Sequence, residues 1–226
     1  MSTSRVLAQV VLFSGLSAPD LDVLAASLQK RRYYKGEFIF HLDDPGTACY
    51  IIESGRVKIG VVSPEGKQVT LALLGTGDLF GELALLDGDN RSADAVALEP
   101  CHLLELSRAS FLAFLQVHPE AAVKLLSALA GRLRRTDEML EDAVFLRVPG
   151  RLAKVLLDVA ERQGQVTPRG ISIDPFLTQA ELAAIVGTTR ESVNKWLGFY
   201  QQRGLIKLDG GKIIIRRPEE LHQQIY

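Results

Sequence analysis

The sequence predicts an α+β chain: a jelly-roll-like β-roll with N-terminal helices, then a long helix, then a winged helix-turn-helix. Three observations predict this order. Short β-branched or aromatic runs alternate with turn signals from Tyr33 to Leu106. Apolar residues then recur at helical spacing through a long stretch with few breakers. Two short helix patterns finally flank Gly187, and a hairpin pattern follows them. The expected boundaries are 1–106 for the roll, 107–146 for the long helix region and 147–226 for the last domain.

The elements follow in order. Arg5–Phe13 and Pro19–Gln29 have helical spacing, with Leu21, Leu24, Ala25 and Leu28 on one face. Phe38-Ile39-Phe40, Tyr50-Ile51-Ile52, Val57-Lys58-Ile59, Val69-Thr70-Leu71 and His102-Leu103-Leu104 read as strands. Between them stand Lys35-Gly36, Asp44-Pro45-Gly46, Ser54-Gly55, Pro64-Glu65-Gly66, Gly75-Thr76-Gly77 and Asp87-Gly88-Asp89-Asn90. Short strands punctuated this often build an antiparallel sandwich, roll or barrel. Ser107–Leu146 reads as helix, with His118-Pro119 the place where it can break. Its second part carries a heptad seam of Leu126, Leu129, Leu133, Thr136, Leu140 and Ala143, which implies a partner helix. Thr136 is the polar member. Either its hydroxyl bonds its own helix backbone or sets register, or a bound polar ligand meets it there. Val148-Pro149-Gly150 interrupts the pattern, and proline suits a first helical turn, so a new helix runs from here to about Arg162 and the hinge lies at its start.

The stretch "LTQAELAAIVGTTRESVNKWLGFYQQRGLIKL" carries the strongest local signal. Counted from Gln179, a small residue (Ala183) falls at position five, a glycine (Gly187) at nine and an apolar residue (Val193) at fifteen. Two helices that cross closely need the first, a positive-φ turn the second, and packing of the second helix on the first the third. Thr178/Glu181 and Thr188/Glu191 have capping-box spacing. Leu205-Ile206-Lys207 and Lys212–Ile215 around Asp209-Gly210-Gly211 read as a hairpin, the wing. The second helix offers Thr189, Arg190, Glu191, Ser192 and Lys195 to solvent. In a major groove Arg190 suits guanine and Glu191 the amino group of cytosine, unless Glu191 only completes its capping box. Lys195 and Thr178 suit phosphates, with Gln179 beside them. Trp196 and Phe199 read as core.

Regional charge supports that division. The 226 residues carry a net charge of −1. From Arg147 to Tyr226, however, 12 Lys and Arg stand against 8 Asp and Glu, while the remainder is acidic. A polyanion partner for the last domain alone fits this asymmetry. Cys49 and Cys101 lie far apart in apolar runs and read as buried, reduced thiols. With His41, His102, His118 and His222 dispersed, no zinc, Fe–S or haem ligand set is legible, so no metal is expected. The run Val6–Phe13 is too short and too poorly flanked for a signal peptide, and no run has transmembrane length. A cytoplasmic protein without a membrane partner is expected. A sugar- or metal-binding roll enzyme would want clustered His and Glu in the roll, which the sequence lacks, so the chain is not expected to be an enzyme.

One stretch remains. "DLFGELALLDGDNRSADAV" sets Gly81-Glu82 before Arg91-Ser92 in an otherwise apolar region. Together with "YIIESGRVKIG", "RLRRTDEML", "VPGRLAKVLL" and the helix-turn-helix stretch above, it resembles the cyclic AMP receptor protein (Crp/Fnr) family of bacterial transcription regulators over nearly the whole chain. The second half is most like the actinobacterial-type cyclic AMP regulators.

The resemblance implies a cyclic-nucleotide-binding roll whose phosphate cassette is Gly81, Glu82, Leu83, Arg91 and Ser92. Glu82 would take the ribose hydroxyl, and Arg91 and Ser92 the cyclic phosphate. The chemistry fits, since a guanidinium fork matches phosphate oxygens and a carboxylate suits a hydroxyl donor. Arg132 matches a ligand-side arginine, Thr136 an adenine-contacting threonine, and Asp137 a position that is usually serine or asparagine and reaches the partner subunit's ligand. Arg147 stands where a helix-capping Asp is common. The implied protein is a homodimer gated by cyclic AMP that binds an inverted-repeat DNA operator and meets RNA polymerase. The alternative is a regulator of the same family that is active without a small-molecule effector.

Overall fold

The computed structural model describes residues 7, 8, 10, 13–173 and 177–226. The helix expected over Arg5–Phe13 lies largely outside these residues. The second opens at the Ser17 cap and spans Ala18–Ala26 (α1), three residues short of the expected end. The cause is Gln29, which already belongs to a strand: Gln29–Tyr33 (β1) pairs with Cys101–Ser107 (β8). A charged, exposed run such as Gln29-Lys30-Arg31-Arg32 shows no strand alternation, and only an edge position tolerates it.

The remaining strands of the roll are β2 (Phe38–Phe40), β3 (Ala48–Ser54), β4 (Val57–Val62), β5 (Gln68–Leu74), β6 (Leu79–Phe80) and β7 (Asp94–Ala97). They form two antiparallel sheets, ordered β1-β8-β3-β6 and β2-β7-β4-β5. β7 and the two-residue β6 were not legible beforehand. β3 is buried on both faces over Ala48–Ile52, which is why it reads as a continuous apolar run, and β8 is buried at Cys101, Leu103, Leu104 and Leu106. Ala48, Tyr50 and Ile52 of β3 and Cys101 and Leu103 of β8 face the roll interior. Cys49 and Ile51 of β3 and Leu104 and Leu106 of β8 pack instead against Leu21, Leu24, Phe111 and Phe114 of the helical layer. Both cysteines are free and buried, as expected.

The long helical region breaks at His118. Arg108–Val117 (α3) is capped by Ser107, and Pro119–Phe145 (α4) starts afresh at the proline. Leu129 of the seam packs on the roll core, whereas Leu126, Leu133 and Leu140 are 66%, 63% and 65% exposed.

Val148–Gln163 (α5) opens the last domain. Arg147 is its N-cap residue but makes no side-chain cap. The two short helices, Gln179–Val186 (α6) and Arg190–Gln202 (α7), have the expected spacing: Ala183 and Val193 are buried where the helices meet. The first capping box forms, with Thr178 and Glu181 bonding reciprocally. The second does not. Thr189, rather than Thr188, caps α7 by accepting from the Ser192 N–H, and Glu191 is left on the exposed surface. Trp196 and Phe199 pack on the core, edge to face at 5.5 Å.

The wing is β11 (Ile206–Asp209) and β12 (Lys212–Ile215). Its two-residue turn has positive φ at both Gly210 and Gly211, the pattern whose twist suits a hairpin. Unforeseen is a second hairpin, β9 (Gln165–Thr167) and β10 (Gly170–Ile173), which extends the wing to four strands in the order β11-β12-β10-β9. Pro218–His222 (α8) follows.

Gly187 ends α6 in the left-handed region at φ 68°, and open space surrounds the site of an added Cβ. Gly187→Ala therefore meets only the backbone penalty of about 1–2 kcal/mol. Thermal denaturation should show a drop of several degrees, and Gly187→Asn a smaller one.

Candidate functional site

By contacts the chain divides into two compact units, residues 1–61 with 71–134 and residues 62–70 with 135–226. Each carries one cluster of the residues singled out above.

In the first unit the chain leaves β6 at Gly81, φ 77°, and enters a one-turn helix, Leu83–Leu86 (α2). Glycine is required there twice over. Its φ is left-handed, and a Cβ would stand 2.8 Å from Arg91 Nη1 and 3.2 Å from the Phe40 ring. Glu82 follows with its side chain turned inward, 1% exposed. Arg91 reaches the same place from the far side of the Asp87–Asn90 turn and is 4% exposed. Its backbone is fixed to the turn before β3: Asp43 N–H donates to the Arg91 carbonyl and Arg91 N–H to that of Asp44, each at 2.9 Å. Its guanidinium donates from Nη1 to the Gly81 carbonyl and from Nη2 to the Ala48 carbonyl, both at 2.6 Å, and stacks 4.2 Å above the Phe40 ring.

Arg132 completes the group from α4. Its Nη1 donates to Glu82 Oε1 at 2.6 Å and its Nη2 to the Leu79 carbonyl. Burial pushes the Glu82 carboxyl above its ordinary range, and the Arg132 charge pulls it part of the way back. Burial likewise lowers the Arg91 guanidinium. Among the described residues, two buried polar atoms here have no hydrogen-bond partner, Glu82 Oε2 and Arg91 Nε.

These residues, with Leu83 and Ser92, line a cavity of about 60 Å³. That is well below the roughly 300 Å³ of a small ligand cleft. Ser92 and Leu83 are exposed and also border a wider groove of about 510 Å³ along Leu42, Asp43 and residues 87–91.

Of the expected pocket residues, the structure thus brings together Gly81, Glu82, Leu83, Arg91, Ser92 and Arg132. Thr136 and Asp137, one turn beyond Arg132 on α4, belong to the second unit and do not line the cavity. Sequence reasoning missed Phe40, Ile59, Phe80, Ala84 and Ala93 in the lining. Phe40 was legible only as a strand residue. Nothing in a sequence marks the Ala48 and Gly81 carbonyls as acceptors for a buried arginine.

In the second unit Thr178, Thr189, Arg190, Glu191 and Lys195 are exposed, and Gln179 and Ser192 are half-buried. Gln179 is held by Asn194, its amide donating to Oδ1 at 3.2 Å, which ties the starts of α6 and α7 together. Lys195 lies 5.9 Å from the Trp196 ring centroid. Glu191 is held below the usual carboxylate range by hydrogen bonds at the helix start, from the backbone and from Thr189.

Comparison with known proteins assigns the two clusters to two different domains. The family model for a cyclic nucleotide-binding domain matches residues 30–118, and that for a Crp-like helix-turn-helix domain matches residues 150–224. A nucleotide-binding roll joined to a reading head of this kind defines a transcription regulator. Over 217 residues the chain is 37% identical to the CRP-like cAMP-activated global transcriptional regulator of Mycobacterium tuberculosis, covering 96% of this chain and 97% of that one. It is 37% identical to the cyclic AMP receptor protein of Thermus thermophilus, covering 94% and 95%. The solved c-di-GMP-responsive global regulator CLP of Xanthomonas campestris superposes with a TM-score of 0.79 at 25% identity, covering 88% of this chain and 99% of that one. The chain belongs to the cyclic AMP receptor protein (Crp/Fnr) family of transcription regulators. Among the described residues no group of three or more His, Cys, Asp or Glu could hold a metal, and no helix is long and apolar enough to cross a membrane.

Proposed function

We propose that the protein is a homodimeric, cytoplasmic regulator that binds an inverted-repeat DNA operator and is gated by cyclic AMP. One observation carries the effector reading: an acceptor, Glu82 Oε2, and a donor, Arg91 Nε, are buried without partners among the described residues, and both belong to side chains that line a single cavity. A ligand offering a hydroxyl and an anionic oxygen satisfies both. Glu82 would take the ribose hydroxyl, Arg91 and Ser92 the phosphate, and Gly81 and Leu83 the backbone approach. The regulators of Mycobacterium and Thermus are named for cyclic AMP, which supports that choice of base. By family resemblance alone, Thr136 would contact adenine, and Asp137 would reach the ligand of the partner subunit and accept from its amino group. No catalytic role is part of this reading.

The dimer rests on the exposed stripe of Leu126, Leu133 and Leu140 on α4, an apolar line at heptad spacing on a helix surface. Two copies of α7 related by a two-fold axis would meet successive major grooves about 34 Å apart. Arg190 and Glu191 would read guanine and cytosine, with Thr189 and Ser192 at the same helix start. Lys195, Thr178 and Gln179 would hold phosphates. RNA polymerase is the further partner such a regulator influences.

A second reading has its own observation. Arg132 already bonds Glu82, and Arg91 already bonds two carbonyls, so the cassette is largely filled by side chains. A regulator active without effector would look like this. Gel-shift titration separates the two. The gated reading expects operator affinity to rise with cyclic AMP, by the same factor that operator DNA raises nucleotide affinity. Equal affinity with and without nucleotide gives the effector-independent reading. In either case Arg190→Ala should cost about 1–3 kcal/mol per half-site on the operator and little on random DNA.

A further inference from the structure

The start of α5 is fastened to both helices of the helix-turn-helix. Arg151 donates to three carbonyls: Leu146 at 2.9 Å, Val186 at 2.8 Å and Gly187 at 3.4 Å. Leu146 closes the last turn of α4, since its N–H donates to the Asp142 carbonyl. Val186 and Gly187 close α6. One guanidinium therefore caps the C-terminal ends of two helices, where unpaired carbonyls concentrate negative partial charge. The third helix is tied separately. Tyr200 of α7 is fully buried, and its hydroxyl donates to the Pro149 carbonyl at 2.6 Å. Two further contacts hold the same corner. Lys154 of α5 pairs with Asp142 of α4 at 2.7 Å, and Gly150 lies so close under Ile225 that a Cβ would stand 2.3 Å from its carbonyl oxygen.

We infer that Arg151 and Tyr200 are positioning residues that make the end of α4, the first turn of α5 and the two reading helices one rigid coupling. A displacement of the Leu146 end then reaches α6 through Arg151 and α7 through Tyr200, rather than being absorbed in the hinge. The glycine at 150 does not loosen the corner, because close packing against Ile225 is what requires it. As far as effector response is concerned, the inference rests on the gated reading above; the fastening itself does not.

Tyr200→Phe keeps the ring and its packing and removes one hydroxyl. Arg151→Lys keeps the charge but cannot span three carbonyls. Two measurements on the full-length dimer test the pair. The first is the ratio of operator affinities with and without saturating cyclic AMP. Each variant should lower this ratio at least fivefold, with cyclic AMP affinity in the absence of DNA and random-DNA affinity both within twofold of the parent. The second is amide hydrogen exchange without ligand. Exchange should accelerate in the hinge around residues 146–151, and for Arg151→Lys also around 186–190, while β11 and β12 stay at the parent rate. A merely structural loss would accelerate the wing as well. A ratio within twofold of the parent in both variants, or uniform or unchanged exchange, overturns the inference. Should the parent itself show no cyclic AMP effect, the gated reading falls, and the exchange pattern alone decides the fastening.

Discussion

Arg91→Ala should lower cyclic AMP affinity by two orders of magnitude or more in titration calorimetry. Removing one partner of a buried, hydrogen-bonded charge pair costs about 2–5 kcal/mol. The geometry also sets a control. Arg91 serves the Gly81 and Ala48 carbonyls, and truncation orphans both, at about 1–3 kcal/mol for a buried group left unpaired. Part of any loss in Arg91→Ala could then come from a loosened roll. Arg91→Lys separates the effects: it keeps the charge but loses the planar fork. If it melts near the parent temperature yet binds at least tenfold more weakly, the fork holds the phosphate. Cyclic AMP binding within threefold of the parent in both variants removes Arg91 from the site.

Leu133→Asp should convert the proposed dimer to monomers at micromolar concentration, read by sedimentation. The residue lies mid-stripe between Leu126 and Leu140, all well exposed on α4. A carboxylate there would be buried by the partner helix without compensation, at a cost of about 3–5 kcal/mol per uncompensated charge. Because Leu133 does not contribute to the described cores, the monomer should still fold cooperatively, with a melting temperature lowered by the lost association and no longer dependent on concentration. A dimer that survives the change assigns the stripe to another contact.

The helix-turn-helix was the most legible part of this chain. Its determinants are local: a box at Thr178, a left-handed glycine at 187, apolar residues at helical spacing. The second capping box failed for an equally local reason, since Thr188 and Thr189 are both competent caps and one residue of register separates them. The roll was legible where a strand is buried or half-buried. It was not at β1, whose charged residues are admitted by an edge position that only tertiary pairing creates. The β9–β10 hairpin was hidden similarly, because its apolar content is low and Val166 is 89% exposed. In the candidate site, Glu82 and Arg91 could be picked out as charges in apolar company, and Arg132 only through the family resemblance. Their mutual arrangement could not, since it depends on carbonyls and on a strand ring, which carry no chemical signature in one dimension.

β3 is a party wall. One side faces the roll interior, the other the helical layer, and the carbonyl of Ala48 at its start holds Arg91. Packing at interior density leaves such a wall little room to yield to one neighbour alone. The spacing between Phe111, Phe114 and the strand therefore helps set where the Arg91 guanidinium sits. Residues that never approach the cavity thus become silent tuners of affinity, and sequence drift among the helices can retune the sensor while every pocket residue stays the same.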